Sequence, residues 1–112
     1  MKASFKPKKI LWMDLEMTGL DLVRDEILEV AAIVTDWDFT EIATYEGVVR
    51  HESKKLSKLL DRNASFWNEH PAARRGLEEQ NASGKPLAKV ECDLLAFCDE
   101  YFANEPRILR SR

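Results

Sequence analysis

The chain has 112 residues, 45% of them hydrophobic and 33% charged, and a formal net charge of −3. This length suits one domain, and the negative charge argues against a broad basic surface that would bind long nucleic acid. No signal peptide is visible, and no apolar run approaches the roughly 20 residues of a membrane span, so we expect a cytoplasmic protein without a membrane partner.

The first predicted strand covers residues 9–16, and the basic segment at residues 1–8 before it is expected to be a flexible, solvated tail. Four apolar residues run directly into Asp14, which is typical of a strand buried on both faces. Side chains alternate along a strand, so Asp14 and Glu16 are expected to share one face at its carboxyl end.

Asp14 and Glu16 are candidate metal ligands. Two carboxylates held close together on a rigid strand repel each other and are costly to desolvate. A divalent cation relieves both effects, and hard oxygen ligands suit Mg²⁺ or Mn²⁺. The alternative is a solvated surface pair, which is what most Asp-x-Glu sequences are. The position after an apolar strand favours the metal site, because open α/β sheets bind ligands at the carboxyl ends of their strands.

The next part of the chain is predicted to continue a sheet. Its elements are a loop over residues 17–24 that turns at Gly19, strands over residues 26–37 and 41–51, and a hairpin connection at residues 38–41. Residues 27–34 are apolar on both faces, which indicates a central strand, whereas residues 42–49 are mixed and suit a position nearer the edge. Gly47, inside the third strand, predicts a bulge.

Glu29 is an acid within the apolar second strand. A buried carboxylate needs hydrogen-bond donors. We predict that Glu29 accepts hydrogen bonds from backbone N–H groups of residues 17–20 and so holds the segment that follows the acid pair. The alternative is an ordinary exposed strand residue.

From Lys54 onward the pattern is helical, and Pro71 is expected at the first turn of a second helix that ends at residues 81–84. A third helix is predicted over residues 86–103. Its apolar residues share one face at 3.6 residues per turn and are expected to pack on the sheet; they are Leu87, Val90, Leu94, Leu95, Phe97, Cys98, Tyr101 and Phe102. A fourth strand is predicted to begin at Arg107.

The two cysteines, Cys92 and Cys98, are consistent with a reducing compartment. On one helix, six residues separate them by about 9 Å. A disulfide tolerates a Cα separation of roughly 7 Å at most, so we expect two thiols. No Cys/His spacing suggests zinc.

Residues 14–21, which read Asp-Leu-Glu-Met-Thr-Gly-Leu-Asp, resemble the first exonuclease motif of the oligoribonuclease family, and residues 25–31 resemble its second strand. The likeness runs from residue 9 to the end and is strongest up to Val49. This family belongs to the DEDD 3′→5′ exonucleases. The resemblance implies an α/β domain of RNase H-like fold with a mixed sheet, three N-terminal strands and then helices, apparently truncated before the end of the domain.

The resemblance also implies a reaction. In the family, four acids hold two metal ions, Mg²⁺ or Mn²⁺, and a histidine is the general base for hydrolysis of short single-stranded RNA to mononucleotides. Asp14 and Glu16 match the first two acids, which makes them the catalytic and metal-binding candidates. A homodimer is implied for the complete enzyme.

Four residues after the acid pair match the family's contacts to the 3′-terminal nucleotide. Met17, Thr18 and Gly19 match a loop whose backbone approaches this nucleotide, and Leu20 matches a residue that wedges beside the terminal bases. The alternative for Leu20 is a loop residue tucked onto the core.

Two further substrate-binding candidates come from the same resemblance. Trp67 corresponds loosely to an aromatic residue of the family's substrate region, where stacking on a base is worth about 1–3 kcal/mol; the alternative is a core tryptophan. His70 lies near a family histidine that contacts phosphate; the alternative is a residue that precedes the helix starting at Pro71.

The sequence departs from the family after Leu109. The third acid of the family lies just beyond the strand predicted at Arg107, in a stretch with Gly-Asn-Ser, whereas residues 110–112 here are Arg-Ser-Arg. Neither His51 nor His70 occupies the position of the general base. Two alternatives to the exoribonuclease therefore stay open: an inactive truncated exonuclease fragment, and a module that binds nucleic acid or a partner protein.

Overall fold

The computed structural model describes residues 8–103 with their side chains and residues 109–111 by backbone alone. The elements in chain order are β1 (Ile10–Met17), β2 (Ile27–Thr35), β3 (Glu41–Val48), α1 (Ser53–Arg62), α2 (Ala64–Trp67), α3 (Pro71–Gln80), a 3₁₀ turn (Asn81–Ser83), α4 (Leu87–Phe102) and β4 (Leu109–Ser111). Three strands followed by helices confirm the predicted fold class. The tail predicted at residues 1–8 falls outside the described residues except for Lys8, and so does Arg107.

The sheet is mixed, in the order β3-β2-β1-β4. β1 pairs antiparallel with β2 and parallel with β4, and β2 pairs antiparallel with β3. The central position predicted for the second strand is thereby confirmed, and β3 lies outermost among the described strands. The hairpin between β2 and β3 is closed by Asp36, whose Oδ1 accepts hydrogen bonds from the N–H groups of Asp38 at 2.8 Å and Thr40 at 3.0 Å.

The bulge predicted at Gly47 is wrong. Gly47 pairs in continuous register with Val30, and the shift in the β2–β3 ladder lies between Val34 and Thr35. A Cβ at residue 47 would meet the Tyr45 hydroxyl and lie 2.9 Å from Val90 Cγ1 on α4. The glycine therefore permits close packing of α4 and the Tyr45 ring on the sheet.

Helix α4 covers one face of the sheet, as its apolar stripe predicts. Cys98 and Phe102 form a buried cluster with three strand residues, Leu11, Ala32 and Val34. Two residues of the predicted stripe, Leu87 and Leu95, are 43% and 52% exposed. Leu87 begins the helix and Leu95 lies at the margin of the stripe, so the sheet does not cover them.

Helices α1 and α2 pack on the same face of β2. Leu56, Leu60 and Trp67 surround Leu28 in a second buried cluster. Pro71 occupies the first turn of α3, as predicted. Cys92 is exposed and Cys98 is buried, and neither forms a disulfide. Among the described residues, no helix is long and apolar enough to cross a membrane.

The opposite face of the sheet carries an apolar groove of about 410 Å³, lined by Trp12, Ile33, Thr35 and Phe39. The Trp12 indole N–H donates a 2.9 Å hydrogen bond to Thr35 Oγ1, and its ring meets Phe39 edge-on with centroids 5.8 Å apart. Trp12 lies two positions before Asp14 on β1, so the groove and the acid pair share this face.

Candidate metal centre and the loop that follows it

Asp14 and Glu16 lie exposed near the carboxyl end of β1. Their Cα atoms are two strand positions apart, which is about 7 Å. In the ladder Asp14 lies opposite Ala31 and Glu16 opposite Glu29, whereas Leu15 points to the other face. Both carboxylates therefore point from the same face of a strand that pairs with β2 along its length and with β4 just before Asp14, at residues 11–13.

The donors on this face fit a hard divalent cation. Carboxylate oxygens are the ligands that Mg²⁺ and Mn²⁺ prefer, and the small side chain of Ala31 leaves room beside Asp14. Within residues 8–103, no three His, Cys, Asp or Glu side chains converge on one point. Two carboxylates are fewer than such an ion needs, so the metal site at Asp14 and Glu16 stays a prediction.

The loop after the acid pair is anchored by Asp25. Its side chain is only 1% exposed, and it accepts hydrogen bonds from Thr18 Oγ1 at 2.7 Å, the Asp21 N–H at 2.9 Å and Asn63 Nδ2 at 3.0 Å. Burial raises the pKa of the Asp25 carboxyl, but these hydrogen bonds and the charge of Arg62, 3.7 Å away, lower it more. The pKa of Asp25 lies below its usual value, so its charge is stabilised in the fold.

Thr18 is fully buried, and each of its polar groups has a partner. Its N–H donates to Glu26 O at 3.0 Å and its Oγ1 accepts from the Glu26 N–H at 3.1 Å. Its carbonyl accepts from the Trp67 indole N–H at 3.0 Å. The Thr18 backbone is thus occupied within the protein, and its position fixes the start of the loop.

Gly19 follows in a tightly packed position. A Cβ there would lie 2.5 Å from Asp25 Oδ2 and collide with the Asn63 amide. The chain bends at Thr18 and Leu20 on either side of this glycine, and the turn lies later, at residues 22–24, so the turn predicted at Gly19 is displaced along the loop. The reason for glycine is the close approach of Asp25 and Asn63.

The tip of the loop exposes three aliphatic side chains. Leu20 is 98% exposed, Leu22 88% and Val23 92%. The alternative prediction, that Leu20 is tucked onto the core, is wrong. Asp21 stabilises the tip, because its Oδ1 accepts from the N–H groups of Val23 at 2.9 Å and Arg24 at 3.2 Å. These two hydrogen bonds lower the pKa of Asp21.

Contrary to the prediction, Glu29 does not anchor this loop. It lies half-buried opposite Glu16 on the face of β2 away from the helices, and the loop is anchored through Asp25, with further hydrogen bonds to Asp21 Oδ1 and Thr18 Oγ1 inside the loop. The physical reason is the parity of the strand: Leu28 and Val30 point to the helices, so Glu29 points to the other face. Met17, the last residue of β1, is half-buried opposite Ile27.

Trp67 lies in the core with an exposed fraction of 4%, as the alternative to base stacking predicts. The exposed aromatic surface of this region is Phe66, which is 54% exposed. The Phe66 ring meets Trp67 edge-on with centroids 4.9 Å apart, and the exposed His70 ring lies 4.6 Å from Phe66. His70 occupies the N-cap position of α3 without a side-chain capping hydrogen bond, as expected for a residue that precedes the helix.

The anchoring role of Asp25 was not predicted from the sequence. Its partner Asn63 and the Trp67 donor that binds the Thr18 carbonyl lie far along the chain, in or beside α2. His51 likewise has a structural contact, because its Nε2 lies 2.8 Å from Ile27 O. The one local signal for Asp25 was an acid directly after a turn and before an apolar strand.

The strand order, the acid pair at the end of β1 and the helices on one face define an α/β exonuclease domain of RNase H-like fold. The RNase T exonuclease family model matches residues 11–72, more than half of the chain. The chain belongs to this exonuclease family.

Three relatives show the same likeness, and all three are called oligoribonuclease. The protein from Halorhodospira halophila is 37% identical over 98 residues, which are 87% of this chain and 51% of the relative. Those from Pseudomonas aeruginosa and Bordetella pertussis are 34% and 36% identical over 85% and 83% of this chain, and 51% and 50% of their own lengths. The resemblance to oligoribonuclease is thus confirmed, and the chain spans about half the length of the curated relatives it matches.

Proposed function

We propose that this chain forms the first-motif half of a 3′→5′ exoribonuclease that degrades short single-stranded RNA to mononucleotides. The observation that carries the proposal is the exposed pair Asp14 and Glu16 on one face of β1, inside the segment that matches the exonuclease family. The relatives named oligoribonuclease support the substrate class. A cytoplasmic location and a homodimer are parts of the same proposal.

Asp14 and Glu16 would hold Mg²⁺ or Mn²⁺. When bound, two such ions supply a nucleophilic hydroxide and stabilise charge on the attacking and leaving oxygens of a phosphodiester. β1 supplies rigidity, because the carboxylates stand on a strand that β2 pairs along its whole length and β4 pairs at residues 11–13. Rigid placement of the ligands reduces the reorganisation that the reaction would otherwise require.

The loop after β1 would receive the 3′-terminal nucleotide. The exposed side chain of Leu20 would lie against a base, and the backbone at Gly19 would approach the sugar and phosphate. Thr18 and Trp67 support this loop from the protein side, since the Trp67 N–H binds the Thr18 carbonyl. His70 is exposed and remains the candidate contact for phosphate.

The family reaction also uses a third and a fourth acid and a histidine base, which the resemblance places beyond the part of the sequence that this chain covers. Removing members of a catalytic group that acts together costs nearly the whole effect. We therefore expect metal-dependent binding of RNA by the 112 residues and little or no turnover. Joining this chain to the remaining half of a relative should supply the missing groups.

The test uses three proteins and one substrate. The parent chain and a chimera, in which this chain replaces the matched half of the Halorhodospira halophila relative, are incubated with an end-labelled RNA dinucleotide and Mn²⁺. The chimera should release mononucleotides, and Asp14→Ala should abolish that release. A folded chimera that binds Mn²⁺ but leaves the dinucleotide intact would contradict the proposal.

A second candidate function is a non-catalytic binding module. It is favoured by the apolar groove at Trp12, Ile33 and Phe39, on the sheet face opposite the helices. Such a module would associate through this face. Gel filtration of the parent and Trp12→Ser across a range of concentrations separates the two. A binding module predicts an assembly that Trp12→Ser disperses, whereas the exonuclease proposal predicts the same oligomeric state for both proteins.

A further inference from the structure

The loop over residues 18–25 is fastened to the junction of α1 and α2 at two points. Asp25 receives the Asn63 amide at 3.0 Å, with Arg62 at 3.7 Å. The Trp67 indole N–H binds the Thr18 carbonyl at 3.0 Å. Thr18 Oγ1 donates a 2.7 Å hydrogen bond to Asp25, which joins these two contacts into one hydrogen-bond network.

The base and the tip of this loop differ in solvent exposure. Asp25 and Thr18 are buried, whereas Leu20, Leu22 and Val23 are among the most exposed apolar residues described. A loop without an anchor would let such side chains collapse onto the surface. The network therefore holds an apolar tip in solvent, next to the strand that carries Asp14 and Glu16.

We infer that Asp25 is a positioning residue for the 3′-terminal nucleotide of the RNA. It acts through Thr18 and Asp21, whose groups it binds directly, and so sets the place of Gly19 and Leu20 relative to the acid pair. This inference rests on the proposed function. It adds a residue that touches neither metal nor substrate but fixes the surface that does.

The physical reason is preorganisation. A loop that must become ordered when the nucleotide binds loses conformational freedom at that step, and affinity falls accordingly. Asp25 removes this cost because the loop is already held by charge-assisted hydrogen bonds in a buried setting. The metal ligands stand on β1 and do not depend on the loop, so a loss of Asp25 should separate nucleotide affinity from metal affinity.

The experiment compares Asp25→Asn with Asp36→Asn in the full 112-residue chain. Asp36 is the matched control, since it also anchors a turn by accepting backbone N–H groups, but in the β2–β3 hairpin. Binding of Mn²⁺ and, at saturating Mn²⁺, of a 5′-phosphorylated RNA dinucleotide is measured by calorimetry. We expect Asp25→Asn to lower the affinity for the dinucleotide by about tenfold or more and the affinity for Mn²⁺ by less than about twofold. Asp36→Asn should change neither affinity.

A second variant covers the case in which Asp25→Asn does not fold. Trp67→Phe keeps an aromatic ring in the core but removes the donor to Thr18 O together with some buried ring volume, so it should weaken binding of the dinucleotide by about fivefold and leave binding of Mn²⁺ unchanged. If folded variants bind the dinucleotide as tightly as the parent, the positioning role is overturned. If the parent binds Mn²⁺ but no dinucleotide, the proposed substrate is overturned and the inference falls with it.

Discussion

Asp14 and Asp25 flank the same loop, but their surroundings differ. Asp14 is exposed at the carboxyl end of β1, where an ion can reach it. The Asp25 side chain is buried and its hydrogen-bonding capacity is used by Thr18, Asp21 and Asn63. A carboxylate of the first kind is suited to binding a ligand, and one of the second kind to fixing a backbone.

The buried charge of Asp25 makes stability depend on pH. Its pKa in the fold lies below the usual 3.8, so its contribution is present above about pH 4 and is lost as the pH falls through the lowered value. In Asp25→Asn this part of the acid sensitivity should disappear. Thermal unfolding followed by circular dichroism between pH 2 and 6 checks this, and equal slopes for parent and variant would contradict it.

Gly19 should tolerate no side chain. A methyl group at this position would lie 2.5 Å from Asp25 Oδ2 and collide with Asn63, so the anchor must open to admit it. We expect Gly19→Ala to lower the free energy of unfolding by about 1–3 kcal/mol, the cost of disturbing buried hydrogen bonds. Gly76→Ala is the control, because nothing lies within 4 Å of a Cβ there. Equal effects of the two changes in urea unfolding would refute this account of Gly19.

At the level of elements, leucines that fit the same helical apolar pattern differ in burial, and therefore in how much they stabilise the fold. Leu60 on α1 is fully buried in the Leu28 cluster, whereas Leu95 on α4 is 52% exposed. Leu60→Ala should cost about 2–5 kcal/mol of stability, and Leu95→Ala about 0.5 kcal/mol or less. Urea unfolding of both variants decides this, and a similar loss for both would mean that Leu95 has a packing partner.

The elements were predictable because their signals are local. β1 is visible as an apolar run that ends in acids, and α4 as a stripe with a helical period. The bulge at Gly47 and the role of Glu29 were mispredicted, because both depend on which helix or loop packs against the strand. The anchor at Asp25 was missed for the same reason: its partner Asn63 lies 38 residues further along the chain.

At the scale of the whole molecule, the chain spans about half the length of the curated relatives it matches. The helices described here lie on one face of the sheet, and the acid pair and the apolar groove lie on the other. Under the proposed function, the remaining metal ligands would lie on the second face, beside Asp14 and Glu16. The account therefore predicts a folded chain that binds metal and nucleotide, with turnover restored when the rest of the exonuclease is supplied.

Mn²⁺ binding followed by electron paramagnetic resonance tests the central claim most directly. The parent chain is titrated beside Asp14→Asn and Glu16→Gln, with Glu91→Gln on the exposed side of α4 as the matched control. We predict saturable binding by the parent and the control, and a loss of about tenfold or more in affinity for each β1 variant, since each removes a charged ligand. Equal Mn²⁺ binding by all four proteins would show that Asp14 and Glu16 are not the metal ligands.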